Sequence, residues 1–364
     1  MSIKTSYSQT SSYIACPKYW FNSYELKYKP EIEGSSLYFG TAVDASIMAL
    51  LEKKPDYMEY FKNNWFAQQK NKKPFQVFDN DNIVFGNYDF DEYVLKSGDE
   101  QQLLLWASEL NVGQTSNGVD IFKEIAKNKK NPYKKISKNE LKFFNRASWL
   151  SLHRKGELLI EAFKEQFLPK VKKVHATQQY AKVEDPLTGD IINGYIDMIL
   201  SIEGYDSPII FDLKTSSQPY KQEQIDLTEQ LTLYAGLKAQ EYNTNLVGYV
   251  VLVKNITKET ENVCVSCGNK KTGKHKTCEA VINNTRCNGN WTETKILKPE
   301  VQVLVQPKTI EKINELFLDY ENVIKAMKEK IIYKNTAKCN DWYGQKCVFY
   351  DLCHKGDDSN LKRG

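Results

Sequence analysis

Asp212 and Lys214 stand two apart in the run Ile209-Ile210-Phe211-Asp212-Leu213-Lys214, bounded by Ser207-Pro208 before it and Thr215-Ser216-Ser217 after it. On a strand that spacing sends the carboxylate and the ammonium off one face and turns Leu213 back into the core. A second apolar run, 191–200, carries Asn193-Gly194-Tyr195-Ile196-Asp197, and the Gly- and Asp-bearing stretch 201–207 reads as the turn that folds the two runs into a hairpin. Asp197, Asp212 and the Leu213 carbonyl then make an oxygen-rich set suited to a hard cation, Mg2+ or Mn2+. Such a cation lowers the pKa of a bound water and neutralises a phosphodiester, while Lys214 orients that water or stabilises the extra charge of the transition state. Farther along, Gln230 and Tyr234 are i and i+4, neighbours on one helix face with polar tips that reach a phosphate or a water.

Taken singly these pairs are ordinary, since an Asp-x-Lys at a strand end is commonly a solvated surface pair. Their order is informative. Gly-x2-Asp, Asp-x-Lys and Gln-x3-Tyr in succession between Gly194 and Tyr234 resemble the RecB-type exonuclease branch of the PD-(D/E)xK nuclease superfamily. The resemblance implies an α/β fold with a restriction-endonuclease-like core, a mixed sheet flanked by helices. It also implies metal binding by Asp197 and Asp212, catalysis by Lys214, and substrate positioning by Gln230 and Tyr234. It extends toward the N-terminus, where Ile14-Ala15-Cys16-Pro17-Lys18-Tyr19-Trp20-Phe21 is similar to the Cys-Pro opening of such nucleases. The Gly-x3-His that usually follows is here Gly40-Thr41-Ala42-Val43-Asp44, so Asp44 stands as a further metal ligand in place of the imidazole. Gln178 or Gln179 falls near the place where many relatives carry an extra acidic residue.

The 8 cysteines fall into two groups of four. Cys264, Cys267, Cys278 and Cys287 are spaced Cys-x2-Cys-x10-Cys-x8-Cys, a zinc signature in its first half and a looser one in its second. They predict a small zinc ribbon inserted between two strands, with Lys270, Lys271, Lys274, Lys276 and Arg286 as a basic surface around it and His275 as a lesser candidate ligand. Cys16 with Cys339, Cys347 and Cys353 resembles the iron-sulfur staple of AddB-type and CRISPR-adaptation nucleases. That resemblance implies a structural [4Fe-4S] cluster clamping the two chain ends, shielded by Trp342, Tyr343, Phe349 and Tyr350; four thiolates suit Zn2+ in the same place equally. Gly268-Asn269-Lys270-Lys271-Thr272-Gly273-Lys274 fits the first part of a phosphate-binding P-loop. His275 stands where Ser or Thr should hold Mg2+, however, and the cysteines around it exclude the strand–loop–helix setting, so ATP binding is rejected.

Composition fits a soluble globular chain: 364 residues, 41% hydrophobic, 26% charged, a net charge of +4, 11 prolines and no low-complexity tract. That charge leans only mildly toward polyanions, so nucleic-acid binding rests on local patches. The polar N-terminal residues and the lack of an 18-residue apolar run predict a cytoplasmic protein without membrane contact, in a host bacterium if phage-encoded, an origin that the Lys-, Asn- and Tyr-rich composition allows. Five segments are expected: 1–55 with the first cluster cysteine and an entry helix; a helical lobe at 56–170, with helices near 57–69, 101–110, 119–127 and 137–167 and an irregular stretch at 71–98; a nuclease core at 171–260 and 292–335; the ribbon at 261–291; and the cysteine segment 336–364. Within the core, strands are expected at 174–183, 246–253 and 301–305 besides the two motif strands, with a helix over 221–241 and a closing helix from Ile310 through Met327. The whole predicts a metal-dependent DNA exonuclease acting on single-stranded or duplex ends, in recombination, repair or replication, with a helicase or a strand-annealing protein as partner. A DNA-binding accessory protein that keeps the fold without turnover is the alternative.

Overall fold

The computed structural model describes residues 2–30, 35–70, 155–272, 277–282, 285–340, 346–359 and 361–364. The chain opens with β1 (Lys4–Ser6), α1 (Tyr7–Ala15), α2 (Pro17–Trp20) running into a π-helical turn at Phe21–Glu25, and β2 (Tyr28–Pro30). Pro17 takes the first turn of α2, where its missing N–H leaves no hydrogen bond unmade. The entry helix α3 (Ser35–Leu51) and then α4 (Tyr57–Lys70) follow, as expected. The expected helices 101–110 and 119–127, the irregular stretch 71–98 and most of 137–167 lie outside the described residues. From 155 the chain is helical, ending in a π turn at Phe163–Phe167 and a 3-10 turn at Leu168–Lys170.

The central sheet has seven strands, ordered β1-β4-β5-β6-β10 with β3 along β4 and β7 along β6. Its members are β3 (Val171–Glu184), β4 (Ile191–Ile202), β5 (Ile209–Ser216), β6 (Leu246–Cys264), β7 (Lys270–Thr272) and β10 (Trp291–Pro307), with β1. β1 is parallel to β4 and β5 to β6, while the remaining pairs are antiparallel, which makes the mixed sheet. β3 and β4 are joined by a turn in which Asp185 Oδ1 accepts from the Leu187 and Thr188 amides at 2.7 and 3.3 Å and Gly189 supplies φ +69°.

β4 is where the sheet divides. β3 pairs with it from Ile191 to Ile202, so β1, at Ile191–Asn193, and β5, at Met198–Leu200, must share its other edge. Between these two partners Gly194, Tyr195, Ile196 and Asp197 have no strand on that side, and β5 leaves β4 just as it reaches Asp212.

Helices cover both faces. On one, α3, α4 and the segment ending at Phe167 bury Val43, Ile47, Phe61 and Trp65 against Met198 and Phe211. On the other, α6 (Glu229–Tyr242) sets Leu231 and Ala235 on Ile199, Ile210 and Val251, and α7 (Ile310–Lys328) closes over it through Ile313. Each fully buried aliphatic or Phe side chain contributes about 1.5–3 kcal/mol, so the motif strands are anchored from both sides.

Two expectations need correction. The helix over 221–241 is broken into α5 (Gln222–Asp226) and α6, because Thr228 starts a new helix, its hydroxyl accepting from the Leu231 amide. Lys308, 1% exposed, seals the break by donating from Nζ to the carbonyls of Ile225 and Asp226 at 2.8 and 3.1 Å. The strands expected at 246–253 and 301–305 are far longer: β6 and β10 stay paired from Leu246↔Pro307 to Cys264↔Trp291, forming an arm that carries the second cysteine group.

The chain ends meet. Tyr13 Oη donates to the Ile331 carbonyl at 2.6 Å, the Lys18 amide to Tyr333 at 3.0 Å, and β11 (Leu361–Arg363) pairs antiparallel with β2. No helix among the described residues is long and apolar enough to cross a membrane.

Candidate active site and cysteine centres

Asp197 and Asp212 face each other where β5 departs from β4, since the last paired residues are Met198 and Phe211. Asp197 Oδ2 accepts from the Leu213 amide at 2.8 Å, a tie that spans the opening. The structure thus engages Leu213, the expected carbonyl ligand, through its amide. Lys214 Nζ lies 2.6 Å from Asp212 Oδ2 and donates to Gln230 Oε1 at 3.1 Å. Gln230 Nε2 donates in turn to Tyr234 Oη at 2.9 Å. The i, i+4 pair on α6 is therefore linked to the Asp-x-Lys strand. Tyr234 is buried with its ring over Gly194, where a Cβ would come 3.0 Å from Cε1, so its polar tip acts through Gln230.

Asp44 enters from α3 on the opposite face. Gln178 on β3 joins it to the strands: Nε2 donates to Asp44 Oδ2 at 2.9 Å and lies 3.5 Å from Asp197 Oδ1. Gln178 holds φ +46°, a left-handed conformation that a strand residue adopts at a cost of about 1–3 kcal/mol, and it sits opposite Asp197 in the β3–β4 ladder. Gln179 instead contacts Glu241 and Tyr242, away from the carboxylates.

The electrostatics are those of crowded, buried acids. Burial, then repulsion from Asp212, raises Asp44 to about 6. Burial raises Asp197 as well, reinforced by Asp212 and Asp44, and burial raises Asp212 against the pull of Lys214. Burial alone would lower Lys214, but Asp212 beside it outweighs that and holds the ammonium protonated well above the usual lysine range. Among the described residues Asp44 Oδ1 is buried and accepts no hydrogen bond, while Asp212 Oδ2 is ion-paired with the Lys214 ammonium. An unpartnered oxygen on Asp44 close to the carboxylates of Asp197 and Asp212 is the donor chemistry of a hard divalent cation, so these residues fit one.

At the end of the arm, the Sγ atoms of Cys264, Cys267, Cys278 and Cys287 all lie within 4.8 Å of one another, with Cys264–Cys287 and Cys267–Cys278 both at 3.6 Å. Tetrahedral Zn2+ with Zn–S of about 2.3 Å needs sulfur separations of roughly 3.8 Å, so the spacing fits a single tetrahedral ion. Two turns build it. Gly268, at φ +71°, donates its amide to the Cys264 carbonyl. The looser half is completed by the small hairpin of β8 (Val281–Ile282) and β9 (Thr285–Arg286), across which Asn288 donates to Cys278 O and Cys287 to Ala280 O. A Cβ on Gly289 would meet Ser266 Oγ at 2.5 Å and Cys264 Sγ at 2.7 Å, so the sulfurs are enclosed by backbone. Burial opposes ionisation of Cys264, yet amides of Cys267 and Ser266 bring its thiol down to about 7. Lys270, Lys271 and Arg286 lie beside this centre; Lys274, His275 and Lys276 fall outside the described residues.

The other four cysteines lie near one another where the chain ends meet, without the close sulfur grouping that the arm cysteines make among the described residues. The Asn335 amide donates to Cys16 Sγ at 3.4 Å, the Cys347 amide to the Cys339 carbonyl at 2.8 Å, and Asn22 Nδ2 to Cys353 Sγ at 3.8 Å. Burial pushes the Cys347 thiol up to about 11, with Cys339, Cys353 and Cys16 near enough to add to it. Phe349 is buried edge-on to Tyr19 at 4.9 Å, and Tyr350 stacks beside His354, whose Nε2 is 3.4 Å from Cys339 Sγ. Trp342 and Tyr343 lie outside the described residues. Sequence reasoning missed His354, Lys308 and the bridging role of Gln178.

No curated protein matches the chain. Among solved structures, one titled "Crystal structure of SSO0001" aligns over 72% of this chain and 82% of its own at 14% identity with a TM-score of 0.25. A family model described as the PD-(D/E)XK nuclease superfamily matches residues 117–354, a stretch that holds Asp197, Asp212, Lys214, Gln230 and Tyr234 and leaves out Asp44 and Cys16. Because that match spans more than half of the 364 residues, the chain belongs to the PD-(D/E)XK nuclease superfamily, whose members are generally metal-dependent nucleases.

Proposed function

We propose that this chain is a divalent-metal-dependent DNA exonuclease of the RecB type. The observation that carries the reading is the facing pair Asp197 and Asp212 at the divided edge of β4, with Lys214 ion-paired behind them and the orphaned Oδ1 of Asp44 across from them. Mg2+ or Mn2+ held by Asp44, Asp197 and Asp212 would supply water activation and charge neutralisation at a scissile phosphate. Lys214, kept protonated by Asp212, serves as a hydrogen-bond donor to the charge that develops on phosphate oxygens, and not as a base. Gln230 fixes Lys214 and is itself fixed by Tyr234, so these two orient the ammonium. Gln178 keeps Asp44 and Asp197 apart at a set distance.

The exonuclease assignment rests on the ordered motifs between Gly194 and Tyr234, and the same resemblance supports a [4Fe-4S] cluster on Cys16, Cys339, Cys347 and Cys353 as a clamp on the chain ends. Zn2+ is assigned to the arm centre on its sulfur spacing. A helicase or a strand-annealing protein would be the partner that supplies such an enzyme with separated ends or uses its product. The test is digestion of end-labelled linear DNA beside covalently closed circles with Mg2+ or Mn2+. Loss of the linear DNA alone supports an exonuclease, and cutting of both makes it an endonuclease. A neutral amide between two of the acids, where a further acid would strengthen the site, favours one other reading: an accessory protein that binds DNA ends and leaves both substrates intact.

A further inference from the structure

Tyr180 and Tyr195 form a cross-strand pair on β3 and β4, with ring centroids 5.2 Å apart, and they remain 38% and 59% exposed. Their neighbours in the ladder, Ala181 and Gly194, turn toward α6, where Ala181 is buried and Gly194 lies under Tyr234. The tyrosines therefore stand on the face from which Gln178 reaches Asp44. Each is two residues from the site, Tyr180 from Gln178 and Tyr195 from Asp197, a displacement of about 7 Å along a strand. Lys4 Nζ, on β1, lies 5.3 Å from the Tyr180 centroid, and Lys182 follows Tyr180 on the same face of β3.

A cross-strand tyrosine pair that served only the sheet would add about 0.2–1 kcal/mol and needs neither cations nor a neighbouring acid site. Exposed rings beside lysines have a second use. Aromatic faces accept unpaired bases without regard to sequence, and lysines follow the phosphates that connect them. A base-paired duplex hides its base faces inside the stack, so such a platform takes a strand already separated.

We infer that Tyr180 and Tyr195, with Lys4 and Lys182, form a stacking platform for single-stranded DNA that holds the nucleotides adjoining the phosphate at Asp197 and Asp212. This builds on the nuclease reading and adds the strand state of the substrate: a frayed or single-stranded end enters across the outer face of β3 and β4.

The test is anisotropy of a labelled short oligothymidylate in EDTA, where no cleavage occurs, beside an abasic oligonucleotide of equal length. The Tyr180→Ala/Tyr195→Ala protein should bind oligothymidylate at least about tenfold more weakly and the abasic strand within about threefold of the parent; Tyr180→Phe/Tyr195→Phe should bind both as the parent does. Lys4→Ala/Lys182→Ala should reduce the salt dependence by about 1–2 ion equivalents on either strand. An unchanged Mn2+-induced rise in Tm confirms that the alanine variant keeps its acid site. Equal weakening on both strands, or oligothymidylate binding within about twofold of the parent, overturns the platform. Parent protein that binds through the tyrosines but never cleaves would instead defeat the nuclease reading and leave the platform standing.

Discussion

Gln178 Nε2 donates to Asp44 Oδ2 over 2.9 Å, joining β3 to α3 between residues 134 positions apart. Its strained φ of +46° and its approach to Asp197 make the amide a neutral spacer between two acids that repel each other. Gln178→Glu puts a third negative charge into that gap. The metal-free protein should lose about 1–3 kcal/mol, read as a lower Tm, while the Tm rise on adding Mn2+ should exceed that of the parent. An unchanged Mn2+ response would mean that Gln178 does not face the cation.

The acid cluster sets a pH dependence with a definite sign. Asp44 is raised from 3.8 to about 6, and Asp197 and Asp212 are raised too, all three chiefly by burial. A carboxyl whose folded pKa is raised binds its proton more tightly when folded. Its contribution is complete below the unfolded pKa and is lost as pH rises through the folded value, a window of 3.8 to about 6 for Asp44. Metal-free protein should therefore lose on the order of 1–2 kcal/mol from Asp44 alone across that window. Asp212→Asn should raise the Tm of metal-free protein at pH 8 and abolish most of the Mn2+-induced gain, which thermal melts with and without EDTA would measure.

Zinc at the arm should be local in its effect. β6 and β10 are anchored in the sheet by Val250, Leu252 and Val303, far along the strands from Cys264. Cys267→Ala should remove one equivalent of zinc and expose the cysteine-bearing turns to protease while the main unfolding transition shifts by less than about 1 kcal/mol. Metal analysis and limited proteolysis with mapped cleavage sites would check this.

Lys308 is wholly enclosed and satisfies the carbonyls of Ile225 and Asp226 at the break before α6. Lys308→Met keeps the length of the side chain and leaves both carbonyls unsatisfied, a loss of about 1–3 kcal/mol in stability. Because α6 carries Gln230, the same change should lower kcat more than it alters KM, measured on end-labelled DNA at a temperature where the variant is folded.

Much of this arrangement is legible in the sequence. An apolar run bounded by Ser-Pro and Thr-Ser-Ser marked β5, and the two-residue spacing gave Asp212 and Lys214 a common face, because strand periodicity is local. The partner of Asp197 was also within reach: counting back from the Asp185–Asp190 turn pairs Tyr180 with Tyr195 and so sets Gln178 against Asp197. The break at Thr228 was not. The residues across 221–241 suit a continuous helix, and the break where Thr228 starts a new one is held by Lys308, just past β10, which reaches the α5 carbonyls through tertiary contact. The arm was foreshortened for a similar reason, since the mostly polar residues from 255 to 263 give little apolar signal and hold strand geometry by pairing with β10.

The most direct test of the central claim is cleavage of end-labelled single-stranded DNA by the Asp212→Ala/Lys214→Ala protein, with circular dichroism to establish that it is folded. The account predicts at least about a hundredfold loss of the metal-dependent activity of the parent, because the variant removes both an acid of the cation site and the ammonium aimed at the phosphate. Folded variant protein that degrades the strand at the parent's rate would contradict it.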